Sequence, residues 1–199
     1  MLVNLKGWNV LKPLSYHKGV SLIELVVGIA ILGIVVGLGV PSYKAWIQNT
    51  QIRSAAESIQ NGIQLARAEA VKRNASVQFD LRGTSAAWVV CLRPAAPGNC
   101  ANPDDANTIQ SRSAKEGAST NITIASTDAM PLVFNSFGAV TSPAPSAADG
   151  LIRLTVDVST SVLSAAESRE LKILVGAGGN TRMCDPATTL PTSDPRKCP

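Results

Sequence analysis

The stretch KGVSLIELVVGIAILGIVVGLGV, residues 18–40, decides the fold of this 199-residue chain. Every side chain in 20–40 is apolar or small except that of Glu24. As a helix rising about 1.5 Å per residue, this run spans roughly 30 Å, which is the thickness of the hydrocarbon core of a bilayer. Basic residues precede the run, so the positive-inside rule keeps the N-terminus in the cytoplasm. The sequence therefore predicts a single-pass membrane helix with most of the chain outside.

Three interpretations of this stretch compete. A secretory signal peptide has a shorter apolar core, of about 7–15 residues. An ordinary membrane anchor has the right length, but it leaves Glu24 in the apolar zone at a cost on the order of 2–3 kcal/mol. The third interpretation explains both the acid and the preceding glycine. The string Lys18-Gly19-Val20-Ser21-Leu22-Ile23-Glu24-Leu25 resembles the type IV prepilin signature.

That resemblance implies processing and assembly. A prepilin peptidase would cut after Gly19, which makes 1–19 a leader, and would leave Val20 as a methylated N-terminus. Glu24 would then pair with the α-amine of a neighbouring subunit, and in a low-dielectric setting each charge would relieve the desolvation of the other. Pro41 falls where the family commonly has a helix-kinking proline. The alternative for Pro41 is a helix stop just after the membrane.

The helix is predicted to continue through 41–74, because apolar residues recur at steps of four and three. These residues are Ile52, Ala56, Ile59, Ile63, Ala66 and Ala70. The opposite side is interpreted as a solvated face, formed by Arg53, Glu57, Gln60, Gln64, Arg67, Lys72 and Arg73. Two pairs at i,i+4 spacing, Arg53 with Glu57 and Glu69 with Arg73, would support the helix.

Residues 75–199 are predicted to form a β-rich head, because the apolar period changes to two or to short runs. The predicted strands are Ser76–Leu81, Ala87–Leu92, Asn121–Ala125, Leu132–Phe134, Leu151–Val158 and Glu170–Val175. Alternation in Leu151–Val158 indicates that one face of that strand is buried. Loops are expected at Pro94–Gly117 and Thr141–Gly150, and the proline-rich tail Asp185–Pro199 is expected to be irregular.

All four cysteines, Cys91, Cys100, Cys184 and Cys198, lie downstream of the apolar run. Neither sequence-adjacent pair has a CxxC spacing, so a metal site is not indicated. An exported head favours two disulfides, and pairing 91 with 100 and 184 with 198 closes the shortest loops. The other two pairings stay open.

Further strings resemble the FimT/GspH group of minor pilins and pseudopilins, and the resemblance covers nearly the whole chain. They are Leu65–Asn74 at the end of the helix, Phe134–Gly138, and Gly178–Pro186. The resemblance implies a pilin-like α+β fold, in which a long N-terminal helix is followed by a β-rich globular head.

An enzyme is not expected, since the only histidine, His17, lies in the leader and leaves the head without a histidine base. We expect no cofactor and no small-molecule substrate. Some members of the group bind DNA through a Gly-Arg-x-Arg motif, but Gly179–Arg182 lacks its first arginine. Arg182, Arg196 and Lys197 would form a small basic edge if the tail folds back. Ordinary surface charge is the favoured interpretation.

The sequence thus predicts a minor pilin, a structural and assembly subunit of a type IV pilus. Its partners would be other pilin subunits, the prepilin peptidase and inner-membrane assembly proteins. It would begin as a single-pass inner-membrane protein with a periplasmic head and end in a cell-surface pilus. The alternatives are a DNA-binding minor pilin that acts in natural transformation and a minor pseudopilin of a type II secretion system.

Overall fold

The computed structural model describes residues 19–93, 100, 106–114, 116, 121–126, 130–146 and 148–199. The chain divides into two compact units, Met1–Pro41 and Ser42–Pro199. Its elements are α1 Leu22–Arg73, β1 Val77–Leu81, β2 Trp88–Leu92, β3 Thr108–Arg112, β4 Ile122–Ser126, β5 Leu132–Phe134, β6 Val140–Ser142, β7 Leu151–Val158, β8 Leu171–Gly176 and β9 Thr181–Cys184. A helix followed by antiparallel strands is the α+β order that the sequence predicts.

Helix α1 ends where its last turn is capped by an asparagine. Asn74 has a positive φ of 49°, a conformation that asparagine tolerates better than most residues. Its N–H donates to the carbonyl of Val71 at 3.3 Å, and the N–H of Ala75 donates to the carbonyl of Ala70 at 3.2 Å. These two bonds form a Schellman motif, which satisfies carbonyls that have no partner within the helix.

Both predicted helix ion pairs are present. Arg53 Nε lies 3.1 Å from Glu57 Oε1 at the surface. Glu69 is buried and is held by Arg73 Nε at 2.6 Å and Lys72 Nζ at 3.1 Å. The hydrogen bond from Arg73, followed by that from Lys72, lowers the pKa of Glu69 below its usual value.

The strands of the head form two antiparallel sheets with the orders β3-β2-β1-β5-β6 and β4-β7-β8-β9. All six predicted apolar positions of the helix stripe are fully buried. They share one core with Phe79 and Phe134 of the first sheet and with Leu154 and Ile173 of the second. In β7 every second residue is buried, as the alternation predicts. The apolar face of the helix is therefore covered by both sheets.

The helix approaches the first sheet closely at Gly62. A Cβ atom there would lie 2.8 Å from Phe79 Cε2 and 3.0 Å from the indole of Trp88. Trp88 also donates its indole N–H to Ser58 Oγ at 3.0 Å in the buried interior. A glycine is needed at this position because any side chain would push the sheet away.

Three strands were missed by the sequence prediction, and each forms an edge of its sheet. Strand β3 lies inside the predicted loop Pro94–Gly117, and the last two residues of β6 lie inside the predicted loop Thr141–Gly150. Strand β9 was not predicted at all. The edge strand β4 was predicted, because Ile122 and Ile124 alternate with polar residues, whereas the three missed strands are either polar or only three or four residues long. The polar sequence of β3, Thr108–Arg112, is the clearest case.

Candidate assembly segment and C-terminal basic edge

The N-terminal part of α1 presents apolar side chains with no cover. Its large apolar residues have exposed fractions that run from 44% at Val40 to 80% at Leu22. The helix is long and apolar enough to cross a membrane. Glu24 lies in its first turn and is also exposed. An exposed apolar surface of this kind marks an interaction site for a membrane or for protein.

The predicted processing residues lie just before this helix. Gly19 and Val20 have no regular structure, and the first helical hydrogen bond runs from the N–H of Leu25 to the carbonyl of Ser21. The predicted leader before Gly19 lies outside the described residues. The helix continues through Pro41, so the alternative of a helix stop at that proline is wrong. The kink stays a prediction.

The three stretches that resemble the family beyond the leader lie against one another in the structure. They are Leu65–Asn74, Phe134–Gly138 and Gly178–Pro186. Gly138, in the β5–β6 turn, and Gly179, in the β8–β9 turn, both have φ of +76°. A Cβ atom on Gly179 would lie 2.2 Å from the carbonyl oxygen of Gly138 and 3.1 Å from Arg67 Cδ. A Cβ atom on Gly138 would lie 3.1 Å from Arg67 Nε. The Arg67 side chain therefore lies across both turns.

Part of the predicted solvated face of the helix also contacts the head. Arg67 packs on the two turns, and the side-chain amides of Gln60 and Gln64 donate to Thr181 Oγ1 at 3.4 and 3.1 Å. Gln64 and Arg67 stay exposed, as predicted, and Gln60 is half-buried. Their contacts with the head were not predicted, because helix period alone does not reveal where an edge strand such as β9 will pack. Glycines at two separated turns were the available signal, since they mark close backbone approach.

The β5–β6 turn also presents an aromatic side chain to solvent. Asn135 Oδ1 accepts hydrogen bonds from the N–H groups of Phe137 and Ala139, both at 3.0 Å. These bonds fix the turn, and the side chain of Phe137 remains 88% exposed. Among the large apolar residues described in the head, it is the most exposed.

The tail folds back onto the second sheet, and the three residues of the predicted basic edge take part in this fold. Arg182 donates its guanidinium N–H to the carbonyls of Pro195 at 2.7 Å and Lys197 at 3.2 Å. Lys197 Nζ donates to the carbonyl of Leu190 at 2.8 Å. Arg196 pairs with Asp194 at 2.8 Å. The hydrogen bond from Arg196 lowers the pKa of Asp194 to about 2.

Arg182 and Lys197 keep their charges, because they donate to neutral carbonyls, whereas Arg196 is paired with a carboxylate. Arg182 acts as a tether that holds the tail to β9, and the charge of Arg196 is balanced by a neighbouring carboxylate. The tail folds back as expected, and the binding of DNA at this edge stays a prediction.

Two disulfides close the head, in the arrangement with the shortest loops. Cys91 bonds to Cys100, and Cys184 bonds to Cys198. The first bridge covers the outer face of the first sheet, where Asp80 is 2% exposed. Burial raises the pKa of Asp80, and a hydrogen bond from the backbone of Cys100 opposes that effect. The second bridge fixes the irregular tail to the end of β9.

Two models of known protein families match parts of this chain. Residues 55–179 match the family model "Type II transport protein GspH", and residues 14–40 match "Prokaryotic N-terminal methylation motif". Comparison with curated proteins found no match.

Two solved structures are similar to this chain. The type IV minor pilin FimU of Pseudomonas aeruginosa is 16% identical, with a TM-score of 0.45 over 73% of this chain and 98% of that one. The minor pseudopilin EpsH from the type 2 secretion system of Vibrio cholerae is 15% identical, with a TM-score of 0.46 over 69% of this chain and 98% of that one. The family models cover more than half of the sequence. The chain therefore belongs to the GspH family of minor pilins and pseudopilins, which are structural subunits and not enzymes.

Proposed function

We propose that this chain is a minor pilin of a type IV pilus, cut after Gly19 and incorporated into the filament through its N-terminal helix. The observation that carries the proposal is the uncovered apolar surface of residues 20–40, interrupted only by Glu24. Lipid covers this surface before assembly, and the helices of neighbouring subunits cover it afterwards. The transfer from lipid to protein is feasible because both environments are apolar.

Glu24 gives the assembly step its specificity. A carboxylate in an apolar environment is costly without a partner, and the α-amine released by cleavage before Val20 is a suitable counter-charge. The proposed pair forms between subunits, because it is only in the filament that a neighbouring N-terminus comes within reach. The same pair would align each incoming helix along the filament axis.

A matched pair of variants tests this step. Glu24→Ala should insert into the membrane normally, because removing a charge makes the helix more apolar, but it should fail to enter sheared filaments. Glu57→Ala is the control, since Glu57 is an exposed acid on the same helix and forms a surface ion pair with Arg53. Normal incorporation of the Glu24→Ala protein would refute the role assigned to that carboxylate.

The two disulfides support a pilus as the destination. A surface filament exposes its subunits to proteases, and covalent closure of the loop after β2 and of the C-terminal tail protects the segments that fray most readily. An inner-membrane start with a periplasmic head follows from the basic flank before the apolar run. The partners on this route are other pilin subunits, the prepilin peptidase and the inner-membrane assembly proteins.

A pseudopilus of a type II secretion system is the second candidate, and the description of the matching family favours it. Deleting the gene separates the two functions. Loss of surface piliation with normal export of enzymes supports the pilus, whereas a secretion defect with normal piliation assigns the chain to the pseudopilus.

DNA capture in natural transformation has less support, because Arg182 and Arg196 are engaged within the tail. Complementing the deletion with Arg182→Ala tests it. Loss of transformation in cells whose pili and protein level are normal would make the head a DNA receptor.

A further inference from the structure

The helix carries an exposed aromatic pair just after the apolar run. Tyr43 and Trp46 are 61% and 63% exposed, and their rings stack with centroids 5.9 Å apart. Their spacing of three residues places them on one side of α1. Two large aromatic side chains that are exposed together need an environment that suits an apolar body and a polar tip.

The pair lies on the side of the helix that faces away from the head. Ala45, between the two aromatic residues in sequence, is partly buried against the core of the head. Lys44 is exposed, and the Thr50 hydroxyl donates to the carbonyl of Trp46 at 2.9 Å on the outer side. The head itself therefore does not cover the aromatic pair.

The head begins immediately beyond the pair. Asn49 Nδ2 donates to the carbonyl of Glu167 at 3.0 Å. Asn49 Oδ1 accepts from the N–H of Arg169 at 2.8 Å. Both partners belong to the loop between β7 and β8, so this loop is fixed to the helix one turn after Trp46. Asn49 thus marks the edge of the head nearest to the aromatic pair.

The position of the pair in the sequence matches the headgroup layer of a membrane. Trp46 comes six residues after Val40, where the apolar run ends. An α-helix rises about 4.5 Å over the three residues to Tyr43 and about 9 Å over the six to Trp46, and one headgroup layer is roughly 5–7 Å thick. The pair would therefore lie in the layer and at its outer boundary. Tryptophan and tyrosine are enriched in this layer, and lysine extends its charge towards water beside them.

We propose that Tyr43 and Trp46, with Lys44 between them, form an anchor in the outer headgroup layer of the membrane that holds the head directly on the lipid surface before assembly. The occupant of this aromatic surface is lipid, and its continuity with the apolar run is the reason. The inference rests on the proposed membrane-inserted state. It goes further by fixing the depth at which the chain sits and by assigning a function to residues outside the apolar run.

Depth-dependent fluorescence quenching tests this anchor on the full chain. The protein is reconstituted into phosphatidylethanolamine and phosphatidylglycerol vesicles that contain lipids brominated either near the headgroup or near the acyl-chain end. Three proteins are compared: wild type, Trp46→Phe, and the double variant Trp46→Phe with Phe137→Trp. Trp8 and Trp88 are present in all three, so the differences in quenching report the substituted positions alone.

The double variant is the matched control. Phe137 is exposed like Trp46, but it belongs to the turn that packs on Arg67. Arg67 lies 21 residues further along the helix, which is roughly 30 Å at 1.5 Å per residue. A tryptophan there should remain in water.

The expected result is a loss of emission in wild type that is strongest with bromine near the headgroup. In Trp46→Phe the loss should fall to the level set by Trp8 and Trp88, and Phe137→Trp should not raise it again. Quenching of Trp46 by neither lipid would overturn the anchor and indicate a protein partner for the aromatic pair. Quenching that Phe137→Trp restores would also overturn it, because the head would then lie flat on the membrane. Vesicle flotation distinguishes failure of the anchor from failure of the membrane-inserted state. A chain that does not float refutes the inserted state, whereas a floating chain with unquenched Trp46 refutes only the anchor.

Discussion

Gly179 is the position where a single added methyl group should do the most damage to the head. Its φ of +76° lies in the left-handed region, which costs a non-glycine residue about 1–2 kcal/mol. An added Cβ would also lie 2.2 Å from the carbonyl oxygen of Gly138. The β5–β6 turn or the β8–β9 turn must then move, and overpacking of this kind typically costs a further 1–3 kcal/mol. We expect Gly179→Ala to lower the free energy of unfolding by about 2–5 kcal/mol.

A second glycine separates the two contributions. Gly83 has a φ of +67°, and an alanine Cβ there would meet no other described atom within 4 Å. Gly83→Ala should therefore pay only the conformational cost, about 1–2 kcal/mol. The measurement is denaturant unfolding of the detergent-solubilised chain, followed by fluorescence of the buried Trp88. If Gly179→Ala proves no more destabilising than Gly83→Ala, the close contact between the two turns is refuted.

Three further outcomes follow from the tail and the core. Replacing both Cys184 and Cys198 with serine should lower the free energy of unfolding by about 3 kcal/mol, the value for a loop of this length. The tail should then be cleaved by proteases at neutral pH, and a tail that stays resistant would contradict this. The Asp194–Arg196 pair should stabilise the tail at neutral pH, weaken below the ordinary carboxyl pKa of 3.8 and be lost below about 2, because its folded-state pKa is depressed. Pepsin digestion across that range measures this effect, and Asp194→Asn should remove the pH dependence. Ile63→Ala should lower the unfolding free energy by about 2–5 kcal/mol, because Ile63 is fully buried between the helix and the sheets; a loss under about 1 kcal/mol in denaturant titration would contradict the packing.

The features that the sequence predicted well depend on periodicity. The helix stripe at Ile52 and Ile63 and the alternation in β7 each have a repeat that matches one element, so burial follows from local pattern. The long apolar helix was equally accessible, because length and composition determine it, and its passage through a membrane stays a prediction. Predicted strand ends fell within one residue of the observed ends where an apolar run was present, as in β5 and β7.

The features that sequence did not reveal depend on tertiary contact. Arg67, Gly138 and Gly179 are far apart in the chain and meet only when the helix and both sheets are assembled. Arg182 resembled a free surface cation, yet its guanidinium binds carbonyls of a tail that no periodic pattern describes. The edge strand β3 has a polar sequence and exists because β2 offers it a hydrogen-bonding partner. Neither a tether nor a short or polar edge strand leaves a strong local signal.

Mass spectrometry of sheared surface filaments tests most directly whether this chain is a filament subunit. The account predicts that the filament fraction contains the chain, that its first residue is Val20, and that this residue is methylated. Recovery of the chain only in the membrane fraction, with an N-terminal peptide that still begins before Gly19, would contradict both processing and assembly.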